Sequence, residues 1–262
     1  MPAFDISLTL PLLCLASLLA GLIDGMVGGG GLIQLPALLL LLPKVPVPTV
    51  LGTGKVASLA GTSASALRYL RGLSGVPIRW RTVAVAAVVA GCFALLGARA
   101  VSGLNKDLVK PLVLALLVLM AAYTFWRKDF GSLYAPRLHG RRELWTGVGL
   151  GAAIGFYDGF FGPGTGSLLL FAFVGLFGYD FLAASASAKI VNVATNITGL
   201  AYFISTGQVL YHIALPMAAC NILGSTLGAR LALRRGTGFV RVLFLVVVSG
   251  FILKLGWETW RG

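Results

Sequence analysis

Ten apolar runs, several about twenty residues long, dominate this 262-residue chain. They cover 8–27, 31–43, 47–70, 80–101 and 108–126, then 144–161, 165–178, 181–205, 209–232 and 239–257. About 20 apolar residues are needed for a helix to cross bilayer hydrocarbon. In that medium each segment must satisfy its own backbone, so long apolar runs form helices. Charged residues make up only 11% of the chain, against roughly a quarter in soluble domains. Mean hydropathy is +0.92. The fold class read from this is an all-α polytopic membrane protein with about 8–10 hydrophobic segments. Runs 31–43 and 165–178 are short for full crossings, and only glycine-rich turns separate them from the runs before. These places are expected to hold broken or re-entrant helices.

The formal net charge is +13. In a soluble protein that would suggest nucleic acid, but here the basic residues sit at the ends of apolar runs, as in "RYLRGLSGVPIRWR". That placement marks cytoplasmic loops and anionic lipid instead, and no nucleic-acid partner is expected. Cys14, Cys92 and Cys220 each stand alone in apolar segments and are expected to be free, buried thiols. No metal-ligand spacing, cofactor motif or catalytic constellation is present, so no cofactor or metal is expected. The N-terminus lacks a basic flank, which makes run 8–27 a first membrane segment rather than a cleaved signal.

The polar, basic stretch 127–143 divides the chain into a first repeat (1–126), a cytoplasmic linker and a second repeat (144–262). Asp24 in "GLIDGMVGGGG" aligns with Asp158 in "GFYDGFFGPGTG". Lys55 and Lys189 are related by the same shift in numbering. "LGAR" at 96–99 recurs at 227–230, a slightly smaller shift that places a short deletion in one intervening loop. Intramembrane charges are rare, so the Asp and Lys matches argue for an internal duplication. Basic residues occupy 68–81 and 230–241, whereas the counterpart 203–211 has none. If basic loops face the cytoplasm, the two halves are inverted repeats, an arrangement typical of transporters with a site near the midplane.

Asp24 and Asp158 have two compatible readings. Each is a proton-carrying or substrate-gating acid, or each caps the short segment that follows. "GGGG" at 28–31, including Gly28 and Gly30, and "GPGTG" at 162–166, including Gly162, Gly164 and Thr165, open short helices; Ser167 follows. A helix N-terminus in the membrane attracts an anion without a formal charge. Lys189, Asn192 and Asn196 fall at i, i+3 and i+7 on one helical face, and Lys55, Ser58 and Thr62 repeat the pattern. The spacing from Asp to Lys is identical in the two halves (24 to 55, 158 to 189). A Lys–Asp pair within each half that an anion or proton breaks is one coherent mechanism, with Asp158, the glycine turn, Lys189 and Asn192 expected to form an anion path. An intramembrane aspartyl protease is the weaker alternative, since it needs two acids sharing a proton. An anion channel is the nearer one.

These motifs resemble the TauE/SafE family of bacterial permeases, often called sulfite exporters. "GFYDGFFGPGTGS" followed by "AKIVNVATNITGLAYFISTGQVLY" is similar to the second half of that family. "GLIDGMVGGGGLIQLPAL" and "GTGKVASLAGTSASALRYLRG" are similar to the first half. The resemblance runs over about 10–260; "GTGKVAS" departs from it, because relatives tend to have Asn before the lysine. It implies a multi-pass protein of the bacterial cytoplasmic membrane that moves a small sulfur-containing anion, such as sulfite or an organosulfonate. Proton coupling and a homodimer are compatible with that reading. No G-x-x-x-x-G-K-[ST] motif is present, so a secondary transporter fits better than an ATP-driven pump.

Overall fold

The computed structural model describes residues 6–72, 78–101, 115, 118 and 134–261, with side chains through 234 apart from isolated positions. Among them are eight helices: α1 (Ile6–Val27), α2 (Gly31–Leu41), α3 (Val47–Gly72), α4 (Trp80–Ala100), α5 (Gly140–Phe160), α6 (Thr165–Gly175), α7 (Phe181–Ser205) and α8 (Tyr211–Arg261). Seven of the ten expected runs therefore coincide with single helices to within a few residues, and two more, 209–232 and 239–257, are joined in α8. Of run 108–126 only Ala115 and Val118 are among the described residues. Residues 127–133 of the linker lie outside them, and the linker's last residues already belong to α5.

The two short helices have the same origin. Glycines force a break after a full-length helix: Gly28 (φ 83°) closes α1, and Gly162 (φ 92°) and Gly164 (φ 80°) separate α5 from α6. A left-handed backbone there strains any residue with a Cβ. Each following helix has 11 residues, so at about 1.5 Å per residue it covers roughly half the hydrocarbon thickness. α1 and α4 are long and apolar enough to cross a membrane. α3 and α7 match them in length but carry the polar stripes.

Packing repeats with the sequence. α1 lies on α8, and α5 lies on α4. Gly25 of α1 abuts the backbone of Ser225, and its counterpart Gly159 of α5 abuts the backbone of Ala94. Positions 94 and 225 are related by the same shift as the two "LGAR" motifs. The first helix of each sequence half thus packs on the fourth of the other. Small residues are what allow backbones to approach this closely inside a bilayer.

One expectation fails here. The basic stretch 230–241, read from sequence as a loop, is helical backbone within α8. No proline interrupts it, and Ala, Leu and Arg are strong helix formers. At about 1.5 Å per residue, the 51 residues of α8 are too long to lie wholly within a bilayer. The cysteines are free, as expected, but none is fully buried: Cys14 and Cys220 are half-buried, and Cys92 is exposed on α4. An apolar thiol on the lipid-facing side of a membrane helix carries no desolvation cost.

Candidate functional site

The two glycine breaks meet at the centre of the molecule. A Cβ added to Gly28 would collide with the backbone of Gly166, and one at Gly31 would lie 3.0 Å from Pro163 Cα. The N-termini of α2 and α6 are therefore neighbours. Ser167 N–H donates to Gly28 carbonyl (3.1 Å), and Ser167 Oγ donates to Val27 carbonyl (3.1 Å), which fastens one break to the other. Tyr157 Oη donates to Pro163 carbonyl and Thr165 Oγ1 to Gly162 carbonyl (2.7 Å), holding the second turn in shape.

Around this junction lie four buried charges: Asp24 (8% exposed), Lys55 (8%), Asp158 (3%) and Lys189 (4%). They pair across the halves of the sequence. Lys55 Nζ lies 2.8 Å from Asp158 Oδ2 and also donates to Asn196 Oδ1 at 3.3 Å. Lys189 Nζ donates to Asp24 backbone carbonyl at 2.6 Å and lies 3.7 Å from its carboxylate. The Asp24 carboxylate also accepts from Thr62 Oγ1 (2.9 Å). Lys189 stands 5.6 Å from the centre of the Tyr69 ring, a cation–π distance. A buried charge is tolerable only when paired and hydrogen-bonded, and all four are. The acids are not helix caps: neither α2 nor α6 has a side-chain cap. Each acid is held by its own lysine, which removes the basis for a shared-proton protease site.

The two pairs differ in their surroundings. Lys55 and Asp158 line a cavity of about 60 Å³, together with Gly31, Gln34, Thr165 and Asn192. One water needs about 10–15 Å³ of such space, so several waters or one small oxyanion fit. The Lys189 side is nearly closed, with about 10 Å³ beside Ser185 and Gly166.

Of the residues expected from sequence, the larger cavity gathers Asp24, Gly28, Lys55, Ser58, Thr62, Asp158, Gly162, Gly164, Thr165, Asn192 and Asn196. Gly30, Ser167 and Lys189 do not line it. Ser167 serves instead in the clasp between the breaks, and Gly30 ends up against α1, close to Ala20 and the Asp24 side chain. Lys189 faces the small void.

Sequence reasoning missed Gln34. Its Nε2 donates to Gly54 carbonyl (2.7 Å), and its Oε1 accepts from Asn221 Nδ2 (2.9 Å), which also donates to Ser17 carbonyl (3.1 Å). The signal was a single amide inside the apolar run "GGGGLIQLPALLLL". Also missed was buried Glu143, which pairs with Arg79 and accepts from Thr82 (3.0 Å) and Tyr179 (3.0 Å) where α4 and α5 begin. Burial, then the Glu143 charge, holds the Tyr179 phenol above its ordinary range, so it stays a donor.

Residues 13–255 match the family described as Sulfite exporter TauE/SafE. The chain is 31% identical over 244 residues to a protein of Haemophilus influenzae, covering 93% of this chain and 92% of that one. It is 32% identical to ORF9 of a Sinorhizobium species, over 94% and 92% of the two chains. It is 30% identical to YfcA of Escherichia coli K12, over 96% and 91%. All three carry the name probable membrane transporter protein. No solved structure matches the chain. The chain belongs to the TauE/SafE family and is a membrane transporter, not an enzyme.

Proposed function

We propose that this protein is a secondary transporter that carries a small sulfur oxyanion, sulfite or an organosulfonate, across the bacterial cytoplasmic membrane, coupled to protons. The observation that carries the reading is the Lys55–Asp158 pair, set in a cavity where two broken-helix N-termini meet. In this mechanism the anion enters the cavity and takes Lys55 from Asp158. The starts of α2 and α6 supply positive dipole ends, with Gly31 and Gly166 of their first turns lining the cavity. Thr165, Asn192 and Asn196 surround it with groups able to donate hydrogen bonds. Asp158, released from its lysine, takes a proton, so anion and proton travel together. Without one, the freed carboxylate would be an unpaired charge in a buried site, which is costly.

The crossed pairs suit an alternating device. In this reading the halves are inverted repeats, and the open side at Lys55 and the closed side at Lys189 exchange roles as they rock. The cavity volume favours one compact anion over a large organic substrate.

The test is uptake into proteoliposomes of sulfite, sulfate, sulfoacetate and a carboxylate control, with and without a pH gradient. Saturable uptake of a sulfur oxyanion, accelerated by the gradient, is expected. Gradient-independent, non-saturating flux would make the protein an anion channel. Failure to move any sulfur oxyanion would overturn the substrate class.

A further inference from the structure

A second basic feature lies away from the transport cavity. The C-terminal end of α3 and the middle of α8 enclose a cleft of about 840 Å³, lined by Arg68, Arg71, Arg230 and Arg234 with Leu67 and Leu233. No carboxylate lines it, and none of the three ion pairs among the described residues involves these arginines. The cleft is not an antechamber of the transport site. At about 3.6 residues per turn, Lys55, Ser58 and Thr62 share one face of α3, while Ala64, Leu67, Arg68 and Arg71 centre on the opposite face.

We propose that this cleft binds the phosphate headgroup of an anionic phospholipid. Four guanidinium groups in one cleft match phosphate oxygens, which arginine grips through paired N–H donors. The lipid, rather than a soluble anion, follows from what lies below. On α8, Leu223, Leu227, Arg230 and Arg234 form one stripe at i, i+4, i+7 and i+11. Leu67, Leu223 and Leu227 are all exposed. The stripe changes from exposed leucine to arginine, as a ligand with acyl chains beneath a phosphate requires. Basic pockets between membrane helices on the cytoplasmic side hold such headgroups, and both basic stretches fall on that side by the charge of their sequence. The proposal is independent of which anion is carried.

The experiment is native mass spectrometry of the full chain purified in non-ionic detergent. Diphosphatidylglycerol, phosphatidylglycerol and phosphatidylcholine are added separately, with and without millimolar inorganic phosphate. Retention of an anionic lipid, not displaced by phosphate, is expected. Loss of two arginines, in Arg68→Gln/Arg71→Gln or Arg230→Gln/Arg234→Gln, should lower retention roughly tenfold or more. Arg230→Lys/Arg234→Lys should keep most of it, and Arg81→Gln, at an exposed position of α4, should change nothing. Equal retention of phosphatidylcholine, or unchanged retention in both glutamine variants, would overturn the proposal. Displacement by inorganic phosphate would make the cleft a soluble-anion site and overturn it too. The wild-type lipid series and phosphate competition decide the matter even if a variant misfolds.

Discussion

Replacing Lys55 with Met leaves Asp158 buried at 3% exposure without the ammonium that lies 2.8 Å from it. Removing one partner of a buried pair costs about 3–5 kcal/mol, because the other charge stays desolvated. Asp158→Asn alone strands the lysine, although Asn196 Oδ1 at 3.3 Å still accepts from it, so its cost should sit at the low end of that range. Lys55→Met combined with Asp158→Asn removes both charges. The double variant should be less destabilised than the two single losses added together, with a coupling of about 2–3 kcal/mol. The assay is denaturant unfolding of the purified protein in detergent micelles, run as a complete double-mutant cycle. The same cycle on Lys189 and Asp24 should give a coupling of about 1 kcal/mol or less. There the lysine's short bond, 2.6 Å, goes to a backbone carbonyl that Asp24→Asn leaves in place, and the carboxylate is 3.7 Å away. Additive losses at Lys55 and Asp158, with coupling below about 0.5 kcal/mol, would refute the crossed pairing.

Further outcomes follow from packing. Gly166→Ala, whose Cβ would strike the Gly28 backbone, should destabilise by about 1–3 kcal/mol and abolish uptake together with stability. Gly199→Val pushes on the Lys55 stem, whose Cε lies 3.0 Å from an added Cβ; it should slow anion uptake at least tenfold while the melting temperature falls little. Gln34→Leu strands Asn221 Nδ2 from one of its acceptors and should cost about 1–3 kcal/mol in detergent unfolding. Glu143→Gln removes the charge facing Arg79 away from the cavity; it should lower thermal stability and leave the uptake KM unchanged.

Much of this site was legible because the bilayer makes charge conspicuous. Asp24, Lys55, Asp158 and Lys189 stood out as the charges within long apolar runs, and their equal spacing in the two halves marked them as equivalent. The pairing within each half that the equal spacing suggests, Asp24 with Lys55 and Asp158 with Lys189, is wrong. A spacing within each half carries no information about contacts between halves, and the structure pairs them across. Ser167 has the composition of an anion donor, but its partner is the carbonyl of Val27, in the other half of the sequence. Gln34 escaped notice because one neutral amide barely changes the hydropathy of an apolar run. The helical course through 230–241 escaped because charge marks the membrane boundary, not the end of a helix.

The most direct measurement compares sulfite counterflow with pH-gradient-driven accumulation in proteoliposomes containing wild type, Lys55→Met or Asp158→Asn. If an anion replaces Asp158 on Lys55 and the freed acid carries the proton, Lys55→Met loses both activities. Asp158→Asn keeps counterflow and loses the response to the gradient. Wild-type counterflow in Lys55→Met, or an intact gradient response in Asp158→Asn, would contradict that account.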